Sequence, residues 1–128
     1  MKKCLSITIC LLMLVLTGCS DSAAKKEEHA VELASDYIDR ISNNDDAGCD
    51  LYSSYDSNSK VFTVYYTIDE RYLYQLARSN GYNSDTETRF FIKVMTNQIT
   101  QQNLPSVMSF VQKTYFDELG ITSQLVRG

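Results

Sequence analysis

Tryptophan is absent from this chain, and histidine and proline occur once each, as His29 and Pro105. A Ser-His-Asp or Cys-His site needs its base held in a pocket by a third group, and His29 stands at the start of a helix-like segment where no neighbour fixes its ring. A zinc centre needs three or four ligands, and beyond His29 and Cys49 the chain after residue 19 offers only carboxylates. Those carboxylates include the adjacent pairs Glu27-Glu28, Asp45-Asp46, Asp69-Glu70 and Asp117-Glu118. Adjacent side chains point apart on a helix or a strand, so none is a preformed acid/base pair. Asp45, Asp46 and Asp50 lack the order of a calcium loop, and neither a glycine-rich phosphate loop nor a nucleophile elbow occurs. The chain reads as non-enzymatic, with no cofactor and no metal.

Positive charge is also short. Twelve Lys and Arg stand against 16 Asp and Glu, a net charge of −4. An acidic surface gains nothing from counterion release, which excludes nucleic acid as the expected partner. Long apolar runs are missing with one exception, Cys4 to Leu16, interrupted only by Ser6 and Thr8 and preceded by Lys2 and Lys3. A bilayer-spanning helix needs roughly 20 apolar residues and a signal-peptide core about 7–15, so this run reads as an export signal.

The end of that run, Leu16-Thr17-Gly18-Cys19, resembles the lipobox of bacterial lipoproteins. The resemblance implies cleavage between Gly18 and Cys19, a diacylglycerol in thioether linkage on the Cys19 thiol, and acylation, as by palmitate, of the new amino group. Two or three acyl chains anchor stably where one does not, at about 0.8 kcal/mol per buried CH₂. The implied product is a resident of the cell envelope, attached to membrane through Cys19. In an envelope with two membranes, Ser20 resembles the residue that releases a lipoprotein to the outer membrane, facing the periplasm.

With residues 1–18 removed, 110 of the 128 remain, enough for a single domain, and the loss of Lys2 and Lys3 takes the charge from −4 to −6. Cys4 and Cys10 leave with the signal and Cys19 is blocked. Cys49 is then the one free thiol, which excludes an intramolecular disulfide and favours a buried small apolar residue.

The division that follows is signal peptide 1–18, lipidated Cys19 with a flexible tether over 19–28, and one domain over 29–128. Ser20 to Glu28 is polar and without apolar period; as a coil it reaches roughly 15–18 Å. Val31, Ala34, Ile38 and Ile41, widened by Ala30, Leu33 and Tyr37, make one face of a helix up to Ser42. Cys49–Tyr55 and Lys60–Ile68 read as a hairpin about Asp56-Ser57-Asn58-Ser59, with Phe62, Val64, Tyr66 and Ile68 on the core face. Asp69 caps a helix ending at Gly81, and Ser84 and Glu87 form a capping box before Phe90, Phe91, Val94, Met95 and Ile99. The helix is expected to weaken at Gln101-Gln102-Asn103 ahead of Pro105. A new helix buries Val107, Phe110, Val111, Tyr115 and Leu119, and Ile121–Val126 adds a last strand to the hairpin. The order predicts an α+β fold, with a small antiparallel sheet packed on an N-terminal helix and two or three later ones. The stretch from Tyr55 through Lys60 to Glu70 resembles the helix-then-hairpin core of small uncharacterised bacterial lipoproteins, which implies no activity.

Nine tyrosines are the unusual resource. Tyr52, Tyr65, Tyr72 and Tyr74 lie close in sequence and form a candidate binding patch. The reading is a membrane-anchored adaptor with an envelope protein as partner. The alternative is a lipoprotein that binds a small ligand or glycan in a tyrosine-rich cleft between sheet and helices.

Overall fold

The computed structural model describes residues 8–44 and 47–128, with side chains from Ser22 onward. The lipobox, Gly18 and Cys19 included, lies before the residues whose side chains are described, and Asp45 and Asp46 lie outside the described residues.

Helix α1, Thr8–Ser42, is followed by strands β1, Cys49–Asp56, and β2, Val61–Ile68. Three helices follow: α2, Glu70–Ser79; α3, Asp85–Gln98; and α4, Leu104–Val111. Strand β3, Thr122–Arg127, ends the chain. This is an α+β fold with a three-stranded sheet packed on helices, in the order β1-β2-β3.

Local chemistry accounts for much of it. The Asp69 carboxylate accepts the N–H of Tyr72 and starts α2. The Ser84 hydroxyl accepts from Glu87 N–H while the Glu87 side chain reaches back to Ser84, a complete capping box. Gly120 closes the last helical turn with φ 68°, where a side chain would be strained.

The core lies between α1 and one face of the sheet. Ala30, Ala34 and Ile38 turn inward at intervals of four, and the two alanines let α1 approach β1 closely. Opposite stand Cys49 and Leu51 from β1 and Phe62, Val64 and Ile68 from β2, all buried, with Tyr66 half-buried. Leu33, expected to widen the buried stripe, is exposed instead. The segment Ser22–Glu28, expected as a flexible tether, continues α1, because Glu27 is held by Tyr55 and Lys60 from the hairpin.

The sheet is mixed rather than antiparallel. β1 pairs antiparallel with β2, but β3 lies parallel to β2, with Thr122 opposite Val61 and Arg127 opposite Tyr66. The segment from Asp69 to Ile121 carries the chain from the Ile68 end of β2 back to its beginning, where Thr122 N–H donates to the Lys60 carbonyl. A strand entering at the start of its neighbour must run in the same direction, and a long helical crossover is what makes that connection feasible.

The helix does not break before Pro105 either. It passes through a π-turn, Ile99–Asn103, in which Leu104 N–H reaches the Ile99 carbonyl, and a second, Gln112–Phe116, in which Asp117 N–H reaches Gln112. A proline inside an α-helix removes one hydrogen bond and its ring clashes with the carbonyl four residues back, here Gln101; the widened turn relieves that clash without ending the helix. The turns also change which residues face inward. Five residues advance an α-helix by about 140° past full turns, but only a little in a π-turn, so Ile99 and Leu104, and again Val111 and Phe116, share the buried side. Phe110, expected in the core, is consequently 44% exposed, while Phe116 is fully buried against Phe62 with ring centroids 4.9 Å apart. On α3, Phe90 and Val94 point outward, and Thr88, Phe91, Ile92 and Met95 turn in.

A candidate interaction surface on the outer sheet face

Alternation along the strands sends every second side chain to the face of the sheet away from α1. From β1 these are Asp50, Tyr52, Ser54 and Asp56; from β2, Val61, Thr63, Tyr65 and Thr67; from β3, Thr122, Gln124 and Val126. The register lines them up across the strands. Tyr52 pairs with Tyr65 and Tyr65 with Val126, while Ser54 pairs with Thr63 and Thr63 with Gln124.

The first row is aromatic and open. Tyr52 and Tyr65 stack with ring centroids 4.8 Å apart and planes 17° from parallel, Tyr52 is 59% exposed, and Val126 continues the row. The second row is polar and ordered, with Gln124 Nε2 donating to the buried Thr63 Oγ1 at 2.9 Å. Among the described strand residues Asp50 and Asp56 are the acidic groups on this face, towards opposite ends of β1. Asp56 is occupied with the hairpin turn: Asn58 N–H donates to it at 2.9 Å, and this bond, with help from Ser59, holds its carboxyl below the usual range.

Of the four tyrosines expected to form a patch, the structure brings two together. Tyr72 packs against the core beside Gly48, and Tyr74 stands on α2, where the Arg78 guanidinium lies 4.9 Å from its ring and donates to its hydroxyl. Tyr52 and Tyr65 line a face rather than a cleft between sheet and helices. Val126 and Gln124 were missed because they join this surface only through the parallel pairing of β3. The alternation Thr122, Gln124, Val126 was the signal available for them.

Cys49 and His29, the thiol and the imidazole of the domain, stand on separate elements, β1 and α1. Cys49 is buried, and that burial, reinforced by the Asp50 charge, pushes its thiol up, away from the thiolate a nucleophile needs. His29 is exposed on α1, and among the described residues no three His, Cys, Asp or Glu side chains converge on a metal position. An open depression of 610 Å³ lies beside the Ser22–Glu27 segment of α1, lined by Ala23, Ala24, Lys26, Glu27, Lys60 and Leu119 among others. Of its two acids, Glu27 and Glu118, the first is already committed, since hydrogen bonds from Lys60 and Tyr55 hold its carboxyl below its ordinary pKa.

No helix among the described residues is long and apolar enough to cross a membrane. No known family model, curated protein or solved structure matches this chain.

Proposed function

We propose that this chain is a lipid-anchored adaptor of the bacterial envelope, held at a membrane through Cys19 and docking a protein partner on its outer sheet face. The anchor rests on the order of Lys2-Lys3, the apolar run and Leu16-Thr17-Gly18-Cys19. With Ser20 after the anchor, the expected destination in a two-membrane envelope is the outer membrane, facing the periplasm.

The observation that carries the docking surface is the Tyr52–Tyr65–Val126 row, an apolar and aromatic strip across all three strands, bordered on one side by Ser54, Thr63 and Gln124 and on the other by Thr67 and the carboxylate of Asp50. Interface centres are enriched in Tyr and depleted of charge, because neutral groups shed water at little cost and rigid rings lose little entropy on contact.

The test is a pull-down from cross-linked cells with the full-length protein, Cys19→Ala and Tyr52→Ala side by side. One protein recovered with the parent and lost with Tyr52→Ala supports the surface. Recovery undiminished by Tyr52→Ala removes it, and membrane fractionation of Cys19→Ala unchanged from the parent removes the anchor. A melting-temperature rise of the parent with an envelope glycan, absent in Tyr65→Ala, would instead establish the ligand-binding reading.

A further inference from the structure

Along an antiparallel pair, residues that exchange hydrogen bonds with the neighbouring strand alternate with residues that face away from it. Asp69 N–H donates to the Gly48 carbonyl, and the unbroken register from Cys49 opposite Ile68 to Asp56 opposite Val61 carries that alternation along β1. Asp50, Tyr52 and Ser54 therefore bond to β2, while Leu51, Ser53 and Tyr55 turn their N–H and C=O groups to the outer edge of the sheet. No strand among the described residues pairs with β1 on that side. The Ser42 hydroxyl accepts the Leu51 N–H at 2.8 Å, so the end of α1 covers the edge at that step. Farther along, the helix leaves the edge. Glu27 bonds both Tyr55 and Lys60, on the two sides of the hairpin turn, so α1 crosses β1 obliquely and the edge opens toward Tyr55. At that opening a depression of 320 Å³ lies between helix and strand, lined by Ala24, Glu27, Glu28, Val31, Tyr55 and Ser57.

We propose that this edge takes an extended, basic peptide segment of another protein, which joins the sheet as a fourth strand beside β1. The N–H and C=O groups of Ser53 and Tyr55 form a directional row that another extended backbone matches. The depression gives every second side chain of such a strand a seat on the α1 side of the sheet.

Charge selects the sign of that side chain. Ser35 bonds the Ser53 hydroxyl at 2.6 Å and Ser42 bonds Leu51, so the side of α1 that carries both serines faces β1. Glu28, seven residues before Ser35, and Asp39, four after it, share that side, with Glu32 one turn beyond Glu28. All three carboxylates are exposed. Of the cations nearby, Lys60 is bound to Glu27, and Lys25 stands one turn before Glu28. A Lys or Arg of the added strand lays its aliphatic stem along Val31 and brings its charge to Glu28, whereas a carboxylate there meets repulsion. Side chains on the other face of the added strand fall beside Tyr52.

The experiment follows amide exchange by NMR in the full chain, held in dodecyl maltoside micelles, with the peptide acetyl-Lys-Val-Lys-Val-Lys-Val-amide as probe. Exchange at Ser53 and Tyr55 is expected to slow on addition of the peptide. Leu125, whose N–H faces the opposite edge of the sheet, is expected to stay as it was. The same peptide N-methylated at every residue keeps its charge and side chains but cannot donate, and is expected to give no protection. Replacing its lysines by glutamates is expected to abolish protection as well. Glu28→Lys is expected to weaken binding of the lysine peptide about threefold or more. Unaltered exchange at Ser54, inside the β1–β2 ladder, shows that this variant is folded. No protection at Ser53 and Tyr55, equal protection by the methylated or the glutamate peptide, protection at Leu125 instead, or affinity indifferent to Glu28→Lys each overturns the proposal. None of these readouts depends on Cys19 or on what docks against the Tyr52–Tyr65–Val126 row.

Discussion

The Tyr55 hydroxyl donates a 2.7 Å hydrogen bond to Glu27 Oε2 across 28 positions of sequence, and Lys60 Nζ reaches the other carboxylate oxygen at 2.8 Å. One carboxylate thus ties the middle of α1 to both sides of the hairpin turn. The surface part of such a clasp is weakened by solvent, but its two donors arrive together. The segment next to the proposed anchor is therefore helical and fixed to the domain.

Glu27→Ala is expected to lower stability by about 1 kcal/mol, with faster amide exchange from Ser22 to Val31. The pH dependence follows from the direction of the shifts. The folded Glu27 pKa lies below its unfolded value, so its contribution is complete above about pH 4.5 and disappears as pH falls through the folded pKa. Tyr55 is shifted upward, by burial first and by the bond to Glu27 second, so its contribution is complete below about pH 10 and is lost as pH rises beyond it. Chemical denaturation from pH 3 to pH 11 should show both declines in the parent, and Glu27→Ala should flatten the acidic one.

Phe116→Ala is expected to cost about 3–5 kcal/mol, because the ring is fully buried against Phe62, whereas Phe110→Ala costs at most about 1 kcal/mol. Phe110 rests on Tyr37 at 4.9 Å with nearly half its surface in water. Equal losses in urea denaturation would contradict the assignment of Phe116 to the inward side of the second π-turn.

Gln112 closes part of the open edge of the sheet. Its Nε2 donates to the Ile121 carbonyl at 2.9 Å and its Oε1 accepts the Ser123 N–H at 2.8 Å, so the side-chain amide substitutes for a neighbouring strand at that step. Edge strands left unguarded invite pairing with other chains. Gln112→Ala should destabilise by about 1–3 kcal/mol, speed exchange of the Ser123 amide more than that of Val64, and increase aggregation on heating. Unchanged exchange at Ser123 would show that β3 is held by its pairing with β2 alone.

Gly48 has φ 72°, and a Cβ there would meet Ile99 Cδ1 at 3.0 Å and Leu73 Cδ2 at 3.3 Å. Gly81 shares the positive φ with open space around it. Gly48→Ala is expected to lower the melting temperature clearly more than Gly81→Ala, the difference measuring the crowding where the turn before β1 meets α2 and the first π-turn.

The elements legible in the sequence are those fixed by groups a few residues apart. Asp69 reaches Tyr72, Ser84 reaches Glu87, and alternation from Phe62 to Ile68 meets one core face, so both caps, the hairpin and the buried side of β2 follow from local chemistry. The tertiary structure decided what depends on distant partners. Whether Thr122 would enter beside Val61 or beside Ile68 depends on the path of the whole helical crossover, and with it the place of Val126 next to Tyr65. Whether Phe110 or Phe116 would be buried depends on two π-turns, which trade ideal hydrogen bonding for room around Pro105 and for a seat against Phe62. Tyr72 and Tyr74 stand as near to Tyr65 in sequence as Tyr52 does or nearer, yet only Tyr52 stacks on it, because strand register rather than proximity along the chain sets which rings meet.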